Sequence, residues 1–158
     1  MRLNRIVIAF VTLVVASSVS ILAADSQVGT WKLNIAKSKF SDAAMAPKSG
    51  VTKIEAAAGG GIKVTVDNVA ADGKAVHYTF TAKYDGKDYP VKGDPNRDMV
   101  SYTKKDEYTF QSTSKLAGKV TSTATIVYAK DGKTRTITVS GTNAQGVSGT
   151  NTQVYDRQ

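Results

Sequence analysis

Cysteine is absent from the 158-residue chain, and histidine and tryptophan each occur once, as His77 and Trp31. Without cysteine there is no disulfide framework, no thiolate metal site and no lipid-carrying cysteine of the bacterial lipoprotein type. A lone histidine makes no typical zinc site, and no nucleophile accompanies it in a Ser-His-Asp pattern. His77 falls in phase with Thr79 and Thr81, which reads as a surface position. Acidic residues are few, 13 against 21 basic ones, and most sit in turns, so no inward carboxylate pair for acid–base chemistry is visible. Asp94-x-Asn96-x-Asp98 opens like a calcium loop, but Met99 and Lys105 stand where that loop needs glycine and glutamate, leaving a polar turn around Pro95. These absences point to no metal, no cofactor and no enzymatic activity. Clustered basic residues are missing too. The lysines are scattered, with only Lys104 and Lys105 adjacent, which argues against a nucleic-acid partner despite the net charge of +8.

Long apolar runs are confined to the start of the chain. Arg2 and Arg5 precede a stretch from Ile6 to Ala24 broken only by Thr12, Ser17, Ser18 and Ser20. A basic beginning, an apolar centre and small residues at the end form the pattern of a secretory signal peptide, here residues 1–24. Cleavage after Ala24 is expected, with Ser20 and Ala23 as further positions; the alternative is an uncleaved anchor, because the stretch is just long enough to span a bilayer. The cut leaves residues 25–158 as one domain with no stable membrane span. Its 19 basic and 13 acidic residues give +6, which favours solubility and weak contact with anionic surfaces. The expected location is secreted or periplasmic.

No long helical pattern appears in residues 25–158; the period is two. Ile62, Val64 and Val66 alternate with Lys63 and Thr65, and Val76, Tyr78, Phe80 and Ala82 alternate with His77, Thr79 and Thr81. Val120, Ala124, Ile126 and Tyr128 face opposite to Thr121, Thr123 and Thr125, and Ile137 and Val139 alternate with Thr136 and Thr138. Such alternation marks half-buried antiparallel strands. Asp72-Gly73, Asp85-Gly86 and Asp131-Gly132 read as two-residue hairpin turns with positive φ at both central residues. Nine or ten strands follow, at about 28–34, 51–57, 61–68, 74–84, 87–92, 98–104, 107–114, 118–129, 133–141 and 147–156. Residues 36–50 are irregular, a short helical turn or a loop. The fold expected is an all-β, single antiparallel up-and-down barrel, since closure removes exposed edges and large side chains are too few for a filled sandwich.

Val28-Gly29-Thr30-Trp31-Lys32-Leu33 resembles the first strand of the calycins, the lipocalins and fatty-acid-binding proteins, where Gly-x-Trp opens the barrel. Thr152-Gln153-Val154-Tyr155-Asp156 is similar to the last strand of the fatty-acid-binding branch, in which Arg-x-Tyr holds a ligand carboxylate; Gln153 stands here at the arginine position. The chain thus looks like an exported bacterial lipocalin-like protein. The resemblance implies a structural role for Gly29 and Trp31, with Trp31 packing the closed end under an arginine, for which Arg135 and Arg157 are the candidates.

Arg135 shares parity with Ile137 and Val139, which places it on the inner face. A charge there must be paired or hydrogen-bonded. It binds an anion inside the barrel, stacks on Trp31, or escapes to water beside Lys133. Asn151, Gln153 and Tyr155 form a polar row that faces inward toward a ligand or outward to solvent. Tyr78 and Tyr128 lie in phase with apolar residues, as core or ligand contacts. The ligand-binding candidates are therefore Arg135, Gln153, Tyr155, Tyr128 and Tyr78. The expected function is binding of a small apolar or amphipathic ligand; the alternative is an envelope interaction or structural protein with a packed barrel. Nothing in the sequence specifies an oligomeric state.

Overall fold

A computed structural model describes residues 26–142 and 148–158. Ten strands run β1 (Gly29–Lys39), β2 (Ser49–Ala57), β3 (Gly61–Val69), β4 (Ala75–Ala82), β5 (Tyr89–Lys92), β6 (Met99–Lys104), β7 (Thr109–Leu116), β8 (Lys119–Tyr128), β9 (Thr134–Thr142) and β10 (Ser148–Arg157). Every strand pairs antiparallel with its neighbours in the chain, and β1 also pairs with β10, closing an up-and-down barrel. The strand count and architecture are those expected, with β1 running on to Lys39 and the irregular stretch reduced to a single 3-10 turn at Ala43–Met45. The expected start of the last strand at Val147 lies outside the described residues.

The alternating pattern produces this wall directly. Trp31, Leu33, Ile54, Ile62, Val64, Val66, Phe80, Val100, Phe110, Ile126, Tyr128 and Tyr155 turn inward and form the buried core, while lysines and threonines alternate with them outside. Val120 stands 59% exposed: it pairs with Lys115 beyond a bulge at Thr121, which reverses the phase and turns it to the outer face. The bulge appears in the β7–β8 ladder as a register shift between Ser114 and Lys115.

The turns differ from expectation. Gly73, Gly86 and Gly132 have positive φ, but their preceding aspartates do not. Each aspartate instead accepts a hydrogen bond from the backbone amide two residues on, at Lys74, Lys87 and Lys133. At β8–β9 the Gly132 amide also donates to Ala129 carbonyl (2.9 Å), as a four-residue turn with glycine last requires. A two-residue turn with both φ positive lies at Ala117 (50°) and Gly118 (77°), between the paired Leu116 and Lys119, and Gly59 (70°) and Gly60 (75°) are also both positive in the β2–β3 connection.

The strands leave two distinct ends. One, the floor, gathers the start of β1 and β9, the end of β8 and β10, and the chain just before β1. The other, the mouth, carries the 40–48 segment, the 93–98 turn and the β7–β8 hairpin. β5 is the weakest stave: two residue pairs join it to β4 and two to β6, and it contains Pro90, which cannot donate to a ladder.

Candidate functional site

Trp31 sets the floor. It is fully buried, and its indole Nε1 donates to the Gln27 carbonyl at 2.9 Å. Tyr128 meets it edge-on at 5.2 Å between ring centroids, and Phe110 meets Tyr128 at 5.8 Å and 90°. Gln27 is itself buried and donates to the Tyr84 hydroxyl. The Arg157 guanidinium lies over the indole at 4.8 Å and donates to the Val28 carbonyl. Gly29 makes this possible: its φ is +146°, and a Cβ there would sit 2.9 Å from Arg157 Nε. Of the two arginines that the resemblance offers for this stack, Arg157 is the one that covers the indole from the floor side.

Arg135 faces inward, 4% exposed, directly above this floor. It pairs across the sheet with Tyr155 on one side and Tyr128 on the other. Its guanidinium carbon lies 4.4 Å from the Tyr155 ring centroid and 5.5 Å from that of Trp31. Nη1 donates to the Tyr128 hydroxyl at 3.4 Å, a long contact. Nε has no hydrogen-bond partner among the described residues, and no carboxylate there lies within ion-pair distance. Escape to water is therefore excluded. The faces of the guanidinium are stacked, while one edge carries an unanswered donor and an unbalanced charge.

The polar row on β10 also resolves. Tyr155 is buried, and its hydroxyl donates to Gln153 Oε1 at 3.0 Å, so these residues share the inner face with Ile137 and Arg135. Burial raises the Tyr155 hydroxyl pKa to about 12, with Arg135 opposing the rise. Asn151, at the end of the row, reaches the mouth instead and accepts from the Ser41 backbone and hydroxyl. Tyr78 and Tyr128 separate: Tyr128 belongs to the floor, whereas Tyr78 is only partly buried and lies higher in the wall.

Two further side chains were not foreseen. Tyr102 faces inward from β6, stacked on Phe80 at 5.7 Å. Burial pushes its ionisation, and that of Tyr78, above the ordinary tyrosine range; Arg135 and Arg97 both oppose the shift. Such desolvation in side chains that keep some accessible surface fits groups turned toward the barrel interior. Arg97, from the 93–98 turn, folds over the mouth. It stacks above Tyr78 at 5.1 Å, donates from Nε to Asp94 at 2.7 Å and from Nη1 to the buried Ser114 hydroxyl at 3.2 Å. The parity of Tyr102 with Val100 was available in the sequence; Arg97 lies in a turn, where period two carries no information.

His77 is exposed, as expected, and pairs with Asp67 at 2.6 Å. Two solvent-open depressions, of about 600 and 570 Å³, flank β8–β10, one beside the floor around Lys133 and Arg157 and one at the mouth around Ser140 and Thr150; neither includes Arg135.

No protein-family sequence profile matches the chain, and no curated protein matches it. Among solved structures it is similar to the crystal structure of the wild-type fluorescent protein UnaG. The TM-score is 0.57 at 16% sequence identity, covering 84% of this chain and 98% of the other. With the closed ten-stranded wall, this match supports a calycin-like fold.

Proposed function

We propose that the barrel is a non-enzymatic binding module for a small amphipathic ligand whose acidic or polar head meets Arg135. The observation that carries this reading is the unanswered edge of a buried guanidinium. An unsatisfied buried donor costs about 1–3 kcal/mol, more when charged, so an anion that supplied the missing partner would gain what the empty protein forgoes. Gln153, Tyr155 and Tyr128 surround that point, and Tyr78 stands higher in the wall along the remainder of the ligand. The protein acts outside the cytoplasm, secreted or periplasmic. Gln27 is locked beneath Trp31, so cleavage after Ala24 would leave every floor contact in place.

The competing reading, a packed barrel acting through its surface, draws on the stacking of Arg135 between Tyr155 and Trp31. Native mass spectrometry of the exported protein, with Arg135→Met beside it, separates the two. Methionine keeps an unbranched stem and removes the charge. On the binding reading, a small-molecule adduct leaves with the charge, while the empty variant changes stability by about 1 kcal/mol or less, lost stacking being offset by relief of an unpaired charge. A wild-type protein without adduct, together with a stability loss of about 1–3 kcal/mol in the variant, would assign Arg135 to architecture and overturn the proposal.

A further inference from the structure

Resting on that reading, the character of the interior narrows the ligand's chemistry. A saturated acyl chain needs a continuous apolar channel; Leu33, Ile54, Val64 and Val66 line one side of this wall, but polar groups interrupt it from β4 to β7. Above Arg135, the Tyr78 and Tyr102 hydroxyls have no hydrogen-bond partner among the described residues, and both side chains retain accessible surface on the inner wall. Ser114 and the Arg97 guanidinium continue the polar lining to the mouth.

An apolar tail lying against these groups would displace their water and leave each donor unmade, the arrangement that penalises binding most heavily. A ligand with its own hydroxyl or carbonyl opposite them answers them instead. The same wall is aromatic. Phe80 and Tyr102 present stacked rings, interplanar angle 26°, and Tyr155 already stacks on the guanidinium. Aromatic faces favour a planar partner, and a rigid ring loses less conformational freedom on binding than an alkyl chain.

We infer that the ligand is a hydroxylated aromatic acid, with its acidic group on Arg135, its ring among the tyrosines and its hydroxyl on Tyr78 or Tyr102. This departs from the fatty-acid ligand that the last-strand resemblance implies, and the departure follows from polar groups placed along the interior.

Trp31 lies beside Arg135 and is the chain's one tryptophan, so its fluorescence reports binding directly. The probes are 4-hydroxycinnamate, cinnamate and palmitate, titrated against the full chain after export. The first two differ by one hydroxyl; the third carries the same carboxylate on a saturated chain. The expected result is 4-hydroxycinnamate binding at least about tenfold more tightly than either competitor, because a site built around a hydroxyl discriminates strongly against an analogue lacking it. Tyr78→Phe or Tyr102→Phe should collapse the preference over cinnamate to about twofold, chiefly by weakening 4-hydroxycinnamate. Palmitate binding as tightly as 4-hydroxycinnamate, or cinnamate matching it in the unaltered protein, would overturn the inferred class and leave the binding-module reading standing. If none of the three acids binds, the class is again overturned; the module reading fails with it only if the exported protein also carries no small-molecule adduct.

Discussion

The floor and the mouth of this barrel are made from the same ten strands but obey different rules. At the floor, Trp31, Tyr128 and Phe110 pack edge to face, Gln27 closes the chain beneath them, and Arg157 covers the indole. The contacts interlock, so the group left open, Arg135 Nε, stands out against its surroundings. At the mouth, contacts are polar and local: Arg97 to Asp94 and Ser114, Asn151 to Ser41. A packed aromatic end fixes position, whereas a polar end joined to a weakly paired β5 tolerates rearrangement. A recognition charge is best held on the rigid end, where its geometry does not depend on the loops.

The comparison fails first if the floor is not the source of stability. Trp31→Ala removes a fully buried indole and should cost about 3–5 kcal/mol in urea unfolding followed by far-ultraviolet circular dichroism. A loss below about 1 kcal/mol would show that the aromatic cluster is not what holds the barrel.

Alkaline titration tests the same end through Tyr155. Its hydroxyl pKa is raised from the ordinary 10.0 to about 12 by burial, so the folded state keeps a proton that the unfolded chain releases earlier. The associated stability is fully present below about pH 10 and is lost as pH rises through about 12. The Tyr155 component, read as the difference between the wild-type and Tyr155→Phe titrations, should therefore lag behind the exposed tyrosines, and removing it should restore the alkaline stability otherwise lost through about pH 12. A Tyr155→Phe variant that unfolds at the same alkaline midpoint would remove this residue from the account.

The mouth should respond more weakly and more locally. Arg97→Ala leaves the Asp94 carboxylate, 3% exposed, without its ion-pair partner. The expected cost is about 1–3 kcal/mol, and the double change with Asp94→Asn should recover most of it. Additivity of the two changes in a double-mutant cycle would mean the pair is not coupled. The smallest effect is a gain: Ala117 holds φ at 50° in the hairpin turn, so Ala117→Gly should stabilise the barrel by about 0.5–1 kcal/mol. An unchanged or lower melting temperature would show that the strain at the mouth is already absorbed elsewhere.

Much of this architecture is legible in the residue pattern because period two needs no tertiary information. The alternation around Val64, Phe80 and Ile126 specifies the wall and its inward face, and it carries Arg135 with it; the β10 row of Gln153 and Tyr155 reads either way in the sequence. The Gly-x-Trp pair points to the floor only through the resemblance; the structure adds that Gly29 lets Arg157 close over the indole. Two readings failed for local reasons. Asp-Gly was taken as the two-positive-φ turn, yet the aspartate side chains captured backbone amides and kept their own φ negative. Val120 shares the sequence parity of Ala124, yet the bulge at Thr121 reverses the phase and turns it outward, which simple alternation does not show.

The sequence by itself determined the strands, their inward faces and the presence of a charge among apolar neighbours, because side-chain direction along an extended chain is fixed by backbone geometry. Only the tertiary structure decided what that charge meets. Tyr155 is twenty residues from Arg135 in the chain and Trp31 more than a hundred; the β8–β9–β10 register sets both tyrosines beside the guanidinium, and closure of β1 onto β10 adds the indole. Pairing of the consecutive strands β4 to β7 brings Arg97, from a turn without periodicity, over Tyr78 and Ser114. Partners so distant in sequence are selected by register and barrel closure, and no local pattern encodes them.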